Sequence, residues 1–156
     1  LFVITADHTA PGIDNSPATS LDDHRIPIAF YLPDNSLQSI NSKIASQIDI
    51  LPSVLHLLHY PEPFYSIGQN LFDINHNHTA MFYSNGVYQL VKDSILYQFN
   101  GSASVGLYNW QKEEKLQNNL IHNINPKILA AYELQTKQKL QVYNNRLINN
   151  NMYFQK

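Results

Sequence analysis

The chain has 156 residues, 44% of them hydrophobic and only 14% charged, enough to fill the core of one ordinary domain and a balance that excludes intrinsic disorder. Ten Lys and Arg stand against twelve Asp and Glu, a formal charge of -2, and no basic block occurs, so nothing recommends nucleic acid as a partner. There is no cysteine, which rules out a disulfide framework, a Cys-ligated zinc site and a thiol nucleophile together.

Leu1 to His8 is a short apolar, β-branched run that breaks into Thr5-Ala6-Asp7-His8. It reads as a buried strand that delivers a carboxylate and an imidazole to the mouth of a sheet. The first residue already lies inside this strand, where natural termini usually have slack, so the chain is expected to be part of a longer polypeptide. No apolar run approaches the roughly 18 residues needed to cross a bilayer and no basic segment precedes the strand, so neither an anchor nor a signal peptide is expected within these residues.

Thr9 to Ser20 is rich in Pro, Gly, Ser and Asn and is expected to be a surface loop at the strand's end. Asp22-Asp23-His24-Arg25 leads into Ile26-Pro-Ile-Ala-Phe-Tyr-Leu32. That run suggests a strand covered on both faces, as in a sandwiched parallel sheet, with Pro27 confining it to a strand start or an edge. A helix is predicted from near Asp49, with Pro52 in its first turn and Leu51, Val54, Leu55 and Leu58 at helical spacing. Ser66 to Phe72 is expected to form a Gly-centred turn with two apolar anchors.

From Thr79 the period changes to two. Residues 79–83, 86–91 and 95–99, separated by short polar turns, predict an antiparallel meander, and 105–110 a fourth strand. Pro126 opens a long helix to about Asn150 whose packed positions are Leu129, Tyr132, Thr136, Leu140, Tyr143 and Leu147, with Lys137, Lys139 and Arg146 on the wet face.

Four ordered motifs carry a resemblance. They are Phe2-Val-Ile-Thr-Ala-Asp7-His8; Arg25-Ile-Pro-Ile-Ala-Phe-Tyr31; Gln47-Ile-Asp49-Ile-Leu-Pro52-Ser-Val-Leu; and Gly68-Gln-Asn-Leu71. In order and approximate spacing they resemble the C-terminal part of the sulfatase-like proteins of the alkaline phosphatase superfamily, most of all the lipoteichoic acid synthase and phosphoglycerol transferase branch. The likeness covers residues 1–72 with specific motifs, and the rest only in general layout.

The resemblance implies an α/β fold: residues 1–75 as the C-terminal portion of an alkaline-phosphatase-like sandwich, 76–125 as a small antiparallel meander, and 126–156 as a C-terminal helix and tail. It implies that Asp7 and His8 ligate a catalytic divalent cation, zinc or manganese, with calcium or magnesium as alternatives. A carboxylate and an imidazole suit such an ion, which would stabilise charge on a transferring phosphoryl or sulfuryl group. By the same resemblance the hydroxyl nucleophile and a further acidic ligand precede Leu1, and these residues alone should be inactive. Arg25, at the position before the Ile-Pro pair, and His24 are the candidates for holding an anionic sulfate or phosphate ester. The branch implies a membrane tether and an extracytoplasmic catalytic domain.

Simpler roles stand beside these. An Asp-His dipeptide alone is a common turn, and Arg25 could simply pair with Asp22 or Asp23. Asp49 is expected to be structural, its carboxylate accepting backbone N–H groups at a helix start. His76 and His78 are expected in a solvated turn, and His56 and His59 in packing and capping. The rival to an enzyme is a non-enzymatic cell-envelope binding or structural module with a degenerate metal site. Self-association is expected through the opening strand, whose edge would be unpaired.

Overall fold

The computed structural model describes residues 1–9, 21–34, 36–75, 77–113 and 115–154. The fold is mixed α/β, with a two-stranded antiparallel ribbon, a four-stranded antiparallel sheet and a C-terminal helix.

The ribbon consists of β1 (Phe2–Thr5) and β2 (Ile28–Tyr31), in the register Phe2↔Tyr31 to Thr5↔Ile28. β2 begins one residue after Pro27, as the missing donor of proline requires. Two expectations are corrected here. The strands run antiparallel to each other, and β1 is not buried: Phe2 and Ile4 are 60% and 64% exposed. Side chains alternate across a strand, so Phe2, Ile4 and Tyr31 share the outer face. On the inner face Phe30 meets Phe72 edge-on, with ring centroids 5.3 Å apart.

Next comes α1 (Ile50–Leu57), entered through a 3-10 turn at Gln47–Asp49. Asp49 is 3% exposed and behaves as expected of a structural carboxylate, although its bonds tie the turn to a loop rather than cap α1. One oxygen accepts the Ser46 N–H (2.8 Å) and the other the Gln69 N–H (2.7 Å). One helical turn on, Ser53 donates its hydroxyl to the Asp49 carbonyl (2.6 Å) and accepts the Leu71 N–H (2.9 Å). The third and fourth motifs are thus one interlocked unit. Gly68 serves this lock by close approach: a Cβ there would stand 1.9 Å from the Ile48 carbonyl oxygen.

The meander is regular: β3 (Thr79–Ser84), β4 (Val87–Lys92), β5 (Ile95–Phe99) and β6 (Ser104–Asn109) pair in sequence order. Its two-residue turns place Asn85, Gly86 and Asp93 at positive φ, the geometry that matches the twist of a hairpin. One face presents Leu90, Tyr97, Phe99 and Leu107 to Leu129, Tyr132 and Leu140 of α2 (Pro126–Ile148). Asn125 caps that helix by accepting the Lys127 N–H. The other face gathers Val91 and Leu96 with Leu21, Phe82 and Trp110.

Several side chains lie elsewhere than their sequence surroundings suggest. His78 is buried, 8% exposed, and neither ring nitrogen has a hydrogen-bond partner among the described residues; it heads β3 and is not part of a solvated turn, and His76 lies outside the described residues. Lys139 and Arg146 are only partly exposed. Burial holds the Lys139 ammonium below its usual range, opposed by the Asp49 charge, and Arg146 lies over the Tyr65 ring at 4.1 Å. Tyr143 and Leu147, expected to pack, are 42% and 54% exposed. Arg146 and Lys139 can desert the wet face because their long apolar stems cover neighbouring surface.

α2 is also bonded to the meander. Tyr97 meets Ser104 (2.6 Å), Ser104 donates to Glu133 (3.0 Å), and Lys137 donates to the other oxygen of Glu133. The bonds from Lys137 and then Ser104 hold the Glu133 carboxyl below its ordinary 4.5. A depressed carboxylate stabilises the fold above that ordinary value and loses the effect as pH falls through the folded value. Glu133→Gln should therefore lower stability near neutrality by up to about 1 kcal/mol, since the pair meets water. Urea titrations of both proteins should converge once the pH drops well below 4.5; a gap of constant size would refute the linkage.

Candidate functional site

Asp7 and His8 follow the last residue of β1, so their position depends on what holds the strand's end. The Gln47 side-chain amide donates to the Ala6 carbonyl (2.7 Å), joining it to the turn before α1. Thr9 donates its hydroxyl to the Asp23 carbonyl (3.2 Å), joining it to the 3-10 turn Asp22–His24. These ties hold the end of the first motif to the third and to the turn that leads into the second.

Within the pair, His8 Nδ1 lies 2.7 Å from the Thr9 carbonyl oxygen. That oxygen can only accept, so in the neutral ring Nδ1 carries the proton and Nε2 the lone pair. Nε2 lies 3.7 Å from Asp7 Oδ1, which also accepts the His8 N–H at 2.9 Å. Two ligands of one tetrahedral zinc stand roughly 3.3 Å apart, close to this separation. A ring nitrogen anchored on a carbonyl is also how ligating histidines are oriented. The pair fits two positions of a divalent cation. Among the described residues no group of three or more His, Asp or Glu side chains could hold a metal, so a complete site needs further donors.

His24 and Arg25 line the same cleft as Asp7 and His8, an open trough of about 1200 Å³ between the ribbon, the segment before α1 and the second face of the meander. His24 stacks on Phe82 with centroids 4.0 Å apart, and Arg25 lies 5.4 Å from the centre of the Trp110 ring. Arg25 also approaches Asp22 at 3.7 Å, the simpler role considered for it. All four candidate residues line this one cleft, as does Lys43.

The supporting aromatics Phe82 and Trp110 and the tether Gln47 were not foreseen as part of the site. Phe82 and Trp110 lie in the meander, with no local signal linking them to His24 and Arg25. Gln47 sits within a quoted motif, and a polar residue just ahead of a helix start was the available hint.

No helix among the described residues is long and apolar enough to cross a membrane. No protein-family model matches the sequence, no curated protein matches it, and no solved structure matches it. The chain is therefore defined by its own geometry, a mixed α/β assembly with an Asp-His pair at a strand end.

Proposed function

We propose that this chain is the C-terminal part of a metal-dependent sulfatase-like hydrolase or phosphoglycerol transferase of the alkaline phosphatase superfamily, acting on a sulfate or phosphate ester. Asp7 and His8 supply two ligands of a zinc or manganese ion, with calcium or magnesium as the harder alternatives. The observation that carries this reading is the pair itself: Nε2 of a carbonyl-anchored imidazole and a carboxylate oxygen, 3.7 Å apart at the end of a strand. The cation, when bound, would polarise the ester's oxygens. Arg25, with a planar guanidinium suited to a tetrahedral anion, and His24 hold the substrate in the same cleft.

The fold we associate with residues 1–75 is the C-terminal portion of the family's sandwich, with the outer face of the ribbon as the surface on which the rest is built. The hydroxyl nucleophile and remaining ligands belong, on the family pattern, to a preceding segment, and the 156 residues alone are silent. An extracytoplasmic location with a membrane tether goes with this assignment.

The test is metal analysis of the whole protein that carries this chain. Asp7→Ala and His8→Ala should each lower bound zinc or manganese at least about tenfold, whereas Arg25→Ala should leave metal content unchanged and weaken binding of the ester. Unchanged metal in both ligand variants would overturn the reading. It would favour a non-enzymatic envelope module instead.

A further inference from the structure

The face of α2 turned away from the sheet is unusual for an exposed helix. Leu129, Tyr132 and Leu140 pack inward and Thr136 is fully buried. At 100° per residue, the opposite side is centred on Gln138 and carries Ala131, Leu134, Val142 and Asn145. All five are exposed, Leu134 and Val142 by 58% and 51%, and none is charged. Ordinary surface helices place Lys and Glu there.

The spacing of this stripe is symmetric. From Lys127 through Ala131, Leu134, Gln138, Val142 and Asn145 to Asn149, the steps read the same in both directions about Gln138. Two such faces laid antiparallel about a twofold axis at Gln138 set Leu134 against Val142, Ala131 against Asn145, and Gln138 against its own copy. A glutamine amide both donates and accepts, so two of them satisfy each other. The charges decide the direction: an antiparallel pair sets each Lys127 beside the carbonyl end of the other helix, where a cation is favourable. A parallel pair would set Lys127 against Lys127.

We propose that α2 is a homodimerisation helix, its outward stripe pairing antiparallel with the same stripe of a second copy of this chain. The surface is distinct from the ribbon edge. Isologous contacts of this kind are the commonest route to a dimer.

The absence of cysteine makes the test clean. Sedimentation should give the wild-type chain a mass about twice its 17.9 kDa, and Leu134→Glu should return it to a monomer. Under mild oxidation Gln138→Cys should form a covalent dimer rapidly. Leu134→Cys should not, because in the antiparallel pair its own copy lies eight residues along the axis, roughly 12 Å away and beyond disulfide reach. A wild-type monomer at high concentration would overturn the proposal. So would a dimer that survives Leu134→Glu, or Leu134→Cys crosslinking as fast as Gln138→Cys.

Discussion

Gly68→Ala should destabilise the protein by roughly 3 kcal/mol or more, at the severe end for a single methyl group. The added Cβ would lie 1.9 Å from the Ile48 carbonyl oxygen, 2.4 Å from its carbon and 2.8 Å from the Asp49 nitrogen. All three are backbone atoms, with no rotamer to escape through. Relief requires the 68–71 segment to withdraw from the turn before α1. That would break the bonds of Gln69 to Asp49 and of Leu71 to Ser53. The cost is steric and not conformational, since the backbone at Gly68 is not left-handed. Gly86 gives the contrast: its φ is +81° but a Cβ meets nothing within 4 Å, so Gly86→Ala should cost only about 1 kcal/mol. Urea unfolding of both variants checks the order, and equal midpoints would contradict it.

Asp49→Ala should cost about 2–4 kcal/mol, because it leaves the N–H groups of Ser46 and Gln69 without their acceptor at a nearly water-free site. It also removes the charge that opposes the burial penalty on Lys139. Asp49→Asn keeps an amide oxygen for one of the two N–H groups and should lose less. A second readout separates this role from chemistry. Gln47, in the turn that Asp49 braces, grips the Ala6 carbonyl beside the Asp7-His8 pair. Under the proposed metal role, metal affinity of the whole protein should therefore weaken in Asp49→Ala while Asp7 and His8 remain, and recover in large part in Asp49→Asn. A stability loss below 1 kcal/mol would show that water takes over the bonds.

Legibility in the sequence followed the range of the forces. Period-two alternation with Asn-Gly and Asp-Ser turns marked all four meander strands to within a residue or two, because pleat and turn chemistry are local. Pro126 marked the start of α2 for the same reason, and the helix ends at Ile148, close to the expected Asn150. The ribbon was less legible. Leu1 to Thr5 is apolar enough for a buried strand, but apolarity does not say which strand lies alongside. With β2 as its sole partner among the described residues, the pair runs antiparallel with one face open.

The sequence by itself determined the local elements and the absence of thiol chemistry, since composition and short-range spacing suffice for these; Asp7, His8, His24 and Arg25 are candidates through its resemblance to the sulfatase-like family. Tertiary structure alone decided their company. It set His24 on Phe82 and Arg25 over Trp110, across more than fifty residues of chain. It also buried His78 at the head of β3 and made Asp49 the acceptor for Gln69. Each depends on the packing of segments far apart in the chain, and packing of that range leaves no periodic trace in the residues that take part.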